Sequence, residues 1–146
     1  MSVNEFPFAG IEQDYITNVD TTLPVPYEIG INFEDGTILK DSDGNVVIQH
    51  GLEAIKIWCY LSMMTQRFKH QIFSENYGSE HNELIGVTYT KELTEAESYR
   101  YIRECWMVNP YIHDVKDRGV EKVGDKLHIT AEIITDYGTA TLEGVI

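Results

Sequence analysis

Apolar and polar residues alternate strictly between Leu127 and Ile134, near the end of the chain. This period of two is typical of a β-strand that buries one face and exposes the other. Gly124-Asp125 directly precedes this run and favours a tight hairpin. The other predicted elements of this C-terminal sheet are strands at Ile112–Val115, Val120–Val123 and Thr139–Leu142 and a turn at Tyr137-Gly138.

The segment from Ile29 to Ile48 predicts two hairpins. Asp35-Gly36 and Asp43-Gly44 each separate short runs rich in β-forming residues. Tight hairpin turns need positive φ angles, which glycine adopts without steric cost. We therefore expect two short antiparallel pairs before the first helix.

Two longer segments predict α-helices. From Gly51 to about Met64 the apolar residues cover more than one face, which indicates a helix buried on several sides or one that docks a partner. The second helix is predicted to start at a capping box, Thr94-Glu95-Ala96-Glu97, and to stop before Pro110. Its predicted apolar face consists of Tyr99, Ile102, Cys105 and Trp106, beside an exposed Arg100–Glu104 pair. A short helix is predicted at Glu80–Ile85.

This order of elements predicts an α+β fold. We expect a small mixed or antiparallel sheet, with the N-terminal hairpins packed against two main helices. The length of 146 residues fits one such domain, and we assign it to residues 27–146. Residues 1–26 contain three prolines and no sustained period, so we interpret them as an extended acidic arm.

The chain is strongly acidic, with 24 acidic and 11 basic residues and a net charge of −13. Ten of the acidic residues and one basic residue, Lys40, precede Ala54. Such a charge excludes a nucleic-acid partner, which needs clustered Lys and Arg, and favours association with a basic protein surface. No apolar run is long enough to span a membrane and no secretory signal is visible, so we expect folding in a cytoplasm.

No motif indicates catalysis, a metal site or a cofactor. Nucleophile elbows, phosphate loops and paired metal-binding histidines are all absent from the sequence. Cys59 and Cys105 fall in apolar segments, and we interpret them as buried free thiols. We therefore predict a protein that is not an enzyme. The alternative is an acidic hydrolase of cell-wall glycan using two of Glu75, Glu80 and Glu83, since glycoside hydrolysis needs only two suitably spaced carboxyls.

The segment Arg67-Phe68-Lys69-His70 reverses the local charge directly after the apolar first helix. A guanidinium can clamp carboxylates through two parallel hydrogen bonds. These carboxylates can belong to the same domain or to a neighbouring protein, and the sequence leaves both interpretations open.

An ordered series of short motifs resembles the sheath-initiator family of baseplate wedge proteins from contractile tails, in its Gram-positive prophage form. The resemblance covers about Tyr27 to Leu142. Its motifs are Gly51-Leu52-Glu53-Ala54-Ile55-Lys56-Ile57-Trp58, Thr65-Gln66-Arg67-Phe68, Tyr77-Gly78-Ser79-Glu80 and Leu84-Ile85-Gly86, with Gly30-Ile31-Asn32-Phe33 and Asp125-Lys126-Leu127-His128-Ile129 fitting the same pattern.

The resemblance implies a structural part of a phage-tail or tailocin baseplate, assembled in the bacterial host cytoplasm. Its compact domain would be similar to the conserved domain of the tail sheath subunit and to a component of type VI secretion baseplates. It would join the wedge around the central hub and add strands of the first sheath ring to its own sheet edge. The implied partners are other wedge subunits, the hub and spike proteins and the sheath subunit, with no nucleic acid, membrane or cofactor.

The resemblance also indicates which residues would meet these partners. Arg67 matches the family's short arginine motif, while Gln66 stands where the motif has an acid. We assign Gln66, Arg67, Lys69, Tyr77 and Gly78 to the wedge. We assign Thr139, Ala140, Thr141 and Leu142 to the sheath strand, because an unpaired strand edge is a docking site in an assembly.

Overall fold

The computed structural model describes residues 22–146 and confirms an α+β fold. Two antiparallel sheets are present: a ribbon of β1 and β2, and a three-stranded sheet in the order β3-β4-β5. A 3-10 turn, His81–Leu84, lies between the two helices. The element bounds are β1 Tyr27–Ile29, β2 Ile48–His50, α1 Leu52–Met64, α2 Lys91–Trp106, β3 Ile112–Val123, β4 Lys126–Thr135 and β5 Gly138–Val145.

Helix α1 occupies the centre of the domain. It contacts the ribbon, α2 and β5, so three of its sides are covered. Ala54, Ile55, Ile57 and Cys59 are almost fully buried on it. The prediction of a helix buried on several sides is confirmed, and its nearly all-round apolar sequence is explained by these three neighbours.

The main core lies between the two helices and one face of the three-stranded sheet. Leu127, Ile129, Ala131 and Ile133 of β4 all point into it, as the alternating pattern predicts. Burying a side chain the size of isoleucine stabilises the fold by roughly 1.5–3 kcal/mol relative to leaving it exposed. The remaining core residues are Ile55, Cys59, Leu84, Ile102, Cys105, Trp106, Ile112 and Val115.

Helix α2 begins one turn earlier than the sequence predicts. Thr90 is the N-cap residue, and its side-chain oxygen accepts a hydrogen bond from the Leu93 amide at 3.3 Å. Thr94 lies inside the helix, where its hydroxyl donates to the Thr90 carbonyl at 3.0 Å. The predicted capping box is therefore wrong. The helix extends to Lys91 because residues 91–93 favour helix and Thr90 caps them without an acid three positions later.

Strand β3 is one continuous strand where the sequence predicts two. Its pairing with β4 shifts at Ile112/Asp114 and at Asp117/Gly119, so the strand contains two bulges. At the second bulge the Gly119 amide donates to the Asp117 carboxylate at 2.8 Å. The polar run Lys116–Gly119 breaks the apolar alternation but not the pairing, because a bulge absorbs the extra residue. The predicted hairpin at Gly124-Asp125 is confirmed.

The ribbon confirms both predicted N-terminal turns. Gly36 and Gly44 have φ angles of +71° and +86°, the left-handed values that such turns require. The two hairpins diverge from Gly30, whose amide donates to the Val47 carbonyl and whose carbonyl accepts from the Leu39 amide, both at 2.8 Å. The predicted extended arm falls outside the described residues except for residues 22–26, and its boundary stays a prediction.

Candidate docking surfaces

Strand β5 forms one open edge of the three-stranded sheet. The Leu127 amide donates to the Ile146 carbonyl at 2.9 Å, and the Ile146 amide donates to the Leu127 carbonyl at 3.0 Å. This pair determines which β5 residues form hydrogen bonds with β4 and which do not, because the two kinds alternate along the ladder. In such a ladder every second residue directs its N–H and C=O away from the partner strand. On β5 these residues are Thr139, Thr141, Glu143 and Val145. Within residues 22–146 no strand pairs with them.

The opposite edge of the sheet, along β3, is partly blocked. The Val115 carbonyl points outward and accepts hydrogen bonds from the Tyr99 hydroxyl at 2.9 Å and from Arg103 Nη1 at 2.8 Å. Both donors lie on α2, which covers this part of β3. Together with the two bulges, these bonds make β3 a poor template for another strand, since proteins use such devices to protect an edge.

A cleft of about 710 Å³ runs between the last turns of α1 and the C-terminal half of β5. Tyr60, Met63 and Met64 line the helix side, and Leu142 and Ile146 line the strand side. A strand added to β5 would lie along this cleft, and its alternate side chains would enter an apolar space. Methionine suits such a surface because its flexible side chain adapts to different partners.

The four residues that the sequence assigns to the sheath strand divide into two pairs. Thr139 and Thr141 present their backbone outward and are exposed, whereas Ala140 and Leu142 pack against the core. Glu143 and Val145 continue the open edge and were not among the assigned residues. The sequence carries a partial signal for them, because Glu143 and Val145 alternate with residues that are half-buried. Gly144 is one of those residues, and it interrupts the apolar pattern that would reveal the strand.

The residues assigned to the wedge lie on one loop, residues 66–78, between α1 and the 3-10 turn. The loop is closed at its base, where Gln66 forms a parallel bridge with Ser79 and the Ser79 amide donates to the Thr65 carbonyl at 2.8 Å. Gly78 permits this closure. A Cβ atom at Gly78 would lie 2.8 Å from the Thr65 carbonyl oxygen and 2.9 Å from the Arg67 backbone nitrogen.

Arg67 is the centre of a polar network that stabilises the 66–78 loop. Its Nε atom donates to the Glu75 carbonyl at 2.7 Å. Its Nη1 atom lies 3.8 Å from a Glu80 carboxylate oxygen and 3.9 Å from one of Glu104. These contacts support the internal interpretation of the arginine, since they join the loop to the 3-10 turn and to α2. A contact with a partner subunit stays a prediction.

The outer part of the 66–78 loop is apolar and exposed. Ile72 has 87% of its surface exposed, and Phe68 and Phe73 are also exposed, next to Lys69. The inner side is held by Tyr77, whose ring packs 4.9 Å from Phe73 and 5.6 Å from Trp58 between centroids. Exposed apolar side chains grouped in this way mark protein contact sites.

The glutamates of the hydrolase alternative differ in their surroundings. Glu80 is half-buried and lies 3.8 Å from Arg67 Nη1, whereas Glu75 and Glu83 are exposed. Among residues 22–146, no three His, Cys, Asp or Glu side chains converge in a way that could hold a metal ion. No helix in this part of the chain is long and apolar enough to cross a membrane.

Both cysteines are free and buried, as predicted. Burial raises the pKa of the Cys59 thiol well above its ordinary value and raises the pKa of Cys105 to about 11. Both side chains therefore stay protonated at neutral pH and act as small apolar core residues. The Cys59 carbonyl also accepts hydrogen bonds from the Ser62 hydroxyl at 2.8 Å and from the Trp106 indole at 3.2 Å.

His81 links the 3-10 turn to α2 and is almost fully buried. Its Nε2 atom lies 3.1 Å from the Ser98 carbonyl, which can only accept, so Nε2 carries the proton. Nδ1 then accepts from the Ser79 hydroxyl. Burial lowers the pKa of His81 from 6.5 to about 4, although the Ser98 bond opposes this shift. The sequence predicts a short helix at Glu80–Ile85 and gives no signal of this buried polar cluster.

The buried histidine predicts a specific dependence of stability on pH. Unfolded chains take up a proton on His81 near pH 6.5, whereas the folded protein does so only near pH 4. The free energy of unfolding therefore falls as the pH drops from 6.5 to 4, by roughly 3 kcal/mol from this residue. Urea unfolding of the wild type and His81→Gln between pH 7.5 and 4 measures the difference. His70→Gln, which removes an exposed histidine, is the control, and parallel profiles for wild type and His81→Gln would contradict the assignment.

An α+β domain with one open strand edge and an exposed apolar loop has the features of an assembly protein that docks other chains. The sequence matches the contractile injection system sheath initiator family over residues 27–138. The chain therefore belongs to this family. It is also similar to the phage-like element PBSX protein XkdS of Bacillus subtilis (strain 168), with 36% identity over 120 residues, which cover 80% of this chain and 79% of that protein.

Family membership gives the chain a structural role in sheath initiation at the tail baseplate, and not the role of a lysozyme. The resemblance found from the short motifs is confirmed. A member of this family contacts other components of the tail.

Proposed function

We propose that the chain starts the sheath by accepting a strand of the first sheath ring along β5. The observation that carries this proposal is the outward backbone of Thr139, Thr141, Glu143 and Val145, in a sheet whose other edge is engaged by α2 at Val115. A strand added there gains backbone hydrogen bonds for affinity and side-chain pockets for specificity. The cleft beside Met63 and Met64 supplies these pockets.

We further propose that the 66–78 loop faces the wedge subunits around the central hub and spike. Lys69 and the exposed apolar side chains Phe68 and Ile72 support this orientation. Gln66, Arg67, Tyr77 and Gly78 would hold the loop in the shape that the wedge contacts. This role needs no catalysis and no cofactor, and assembly would take place in the host cytoplasm before the sheath polymerises.

Amide hydrogen exchange tests both contacts in one experiment. We expect the Thr139, Thr141 and Glu143 amides to exchange slowly only in baseplates that carry sheath. Residues 66–73 should already exchange slowly in baseplates without sheath, because the wedge forms first. The amides of Val120 and Lys122, on the β3 edge, are internal controls that keep the rate of the free protein.

Two results would contradict the proposals separately. Fast exchange at Thr141 in sheathed baseplates would exclude strand addition along β5. Fast exchange throughout residues 66–73 in purified baseplates would exclude the loop as the wedge contact, whatever happens at β5.

A further inference from the structure

The ribbon has its apolar residues on the outside. Tyr27, Ile29, Val46 and Ile48 point away from the domain and are between 44% and 70% exposed. Ile29 and Ile48 are directly paired across the two strands. We call these four side chains the ribbon face. A strand pair on a domain surface normally turns its apolar side inward, so this reversed arrangement leaves an apolar patch exposed among residues 22–146.

The inward residues of β1 and β2 are polar, whereas Val47, directly before β2, is apolar and half-buried. Glu28 and Gln49 alternate with the ribbon face and are partly covered on the α1 side, and burial raises the pKa of Glu28. Covering a carboxyl while exposing isoleucines is unfavourable in an isolated domain. The arrangement becomes favourable when another surface covers the ribbon face and removes its apolar side chains from water.

The turns that extend from the ribbon are acidic. They carry Glu34, Asp35, Asp41 and Asp43 against one lysine, Lys40, and Glu34 also lines the cleft beside β5. The carboxylate of Asp35 accepts from the Thr37 amide at 2.9 Å, and that of Asp41 accepts from the Asn45 amide at 2.8 Å. These and neighbouring hydrogen bonds lower the pKa of both groups, so the turns beyond the ribbon face keep their negative charge at neutral and mildly acidic pH.

We propose that the ribbon face docks a different baseplate protein, through a patch on that protein with an apolar centre and a margin of Lys and Arg. The net charge of each candidate distinguishes the proteins or segments that could cover the ribbon face. A second copy of this chain would bring the same acidic turns against each other. The chain's own residues 1–21 contain four acidic residues and no Lys or Arg, so they also have the wrong sign.

This surface is separate from the two contacts proposed above. The ribbon face belongs to β1, β2 and Val46, which precedes β2, whereas strand addition uses β5 and the wedge contact uses the 66–78 loop. With the ribbon face and the 66–78 loop both engaged, the initiator would be fixed in orientation before any sheath subunit arrives. The inference rests on the chain's place in a baseplate and not on the strand-docking proposal.

Photo-cross-linking in purified baseplates without sheath tests the proposal. The photoreactive amino acid benzoylphenylalanine replaces Ile48 in the full chain, and in a second variant Ile29, both exposed positions that tolerate a large aromatic side chain. Lys122, on the far edge of the three-stranded sheet, receives the same group as a control. We expect Ile48 and Ile29 to cross-link to a different protein, within a peptide containing Lys or Arg, with a yield lost at high salt.

The outcomes separate the possible occupants. Cross-links from both positions to residues 1–21, or to a second copy of the chain, would overturn the proposal, as would a yield equal to that of Lys122. In agreement with the proposal, Ile48→Glu should lower incorporation into baseplates about tenfold, because it buries an unpaired charge. Ile48→Gln, which has the shape of glutamate without its charge, is the matched control, and melting curves of both variants identify any loss of folding.

Discussion

Replacing Thr141 with proline is expected to abolish sheath assembly on the baseplate while the free protein stays folded. The Thr141 amide points outward, away from β4, so its loss breaks no bond within the domain. Proline is tolerated on edge strands at such positions. An incoming strand, however, would lose the bond to this amide and meet the ring. The combined cost of roughly 1.4 kcal/mol or more corresponds to a tenfold or greater loss of binding.

The measurement is the fraction of baseplates that carry sheath, counted by electron microscopy, together with the melting temperature of the purified variant. Thr141→Val is the matched control because it keeps the amide and changes only the side chain. Normal sheath assembly with a folded Thr141→Pro protein would rule out β5 as the docking strand. A sharp fall in the melting temperature would instead contradict the outward orientation of the Thr141 amide in the β4–β5 ladder.

Gly78→Ala should cause the largest loss of stability of any alanine substitution in the 66–78 loop. Gly78 has a φ angle of +108°, which L-residues rarely adopt, and the new Cβ would lie 2.8 and 2.9 Å from backbone atoms of Thr65 and Arg67. Backbone cannot move aside as a flexible side chain can. Conformational strain and overpacking together cost about 2–5 kcal/mol in the free energy of unfolding.

Gly86 provides a control for this prediction. Its φ angle is +79°, yet a Cβ built there has nothing within 4 Å. Gly86→Ala therefore isolates the conformational part of the cost, about 1–2 kcal/mol. Urea unfolding of the two variants measures the difference, and equal losses would mean that closure of the loop at Thr65 contributes little.

Much of the fold follows from local sequence patterns. The alternation along β4, the Asp-Gly turns of the ribbon and the apolar sequence of α1 each depend on residues close together in the chain. The start of α2 was predicted one turn late because Thr94 and Glu97 imitate a cap, while the true cap, Thr90, lacks the acid that completes the pattern. Local sequence rules favour Thr94 over Thr90 as the N-cap residue. They are wrong here because tertiary contacts bury Thr94 inside the helix.

The candidate site was harder to predict because it depends on distant residues. Arg67 meets Glu104, which is 37 positions away, so the sequence leaves its partner open. Whether Thr141 is on an open edge depends on strand order, which local patterns do not determine. The outward apolar face of the ribbon was also not predicted from the sequence. Alternating apolar and polar residues indicate that one face of a strand is buried, and the usual rule takes the apolar face to be the buried one.

The bonds from Tyr99 and Arg103 to Val115 make the two edges of the three-stranded sheet unequal. They engage the β3 edge at Val115, whereas within residues 22–146 no strand pairs with the outer side of β5. If β5 is the docking edge, as proposed above, the first sheath ring would be placed on one defined side of the initiator. The orientation of that ring on the baseplate would then follow from the inequality of two sheet edges in the starting subunit.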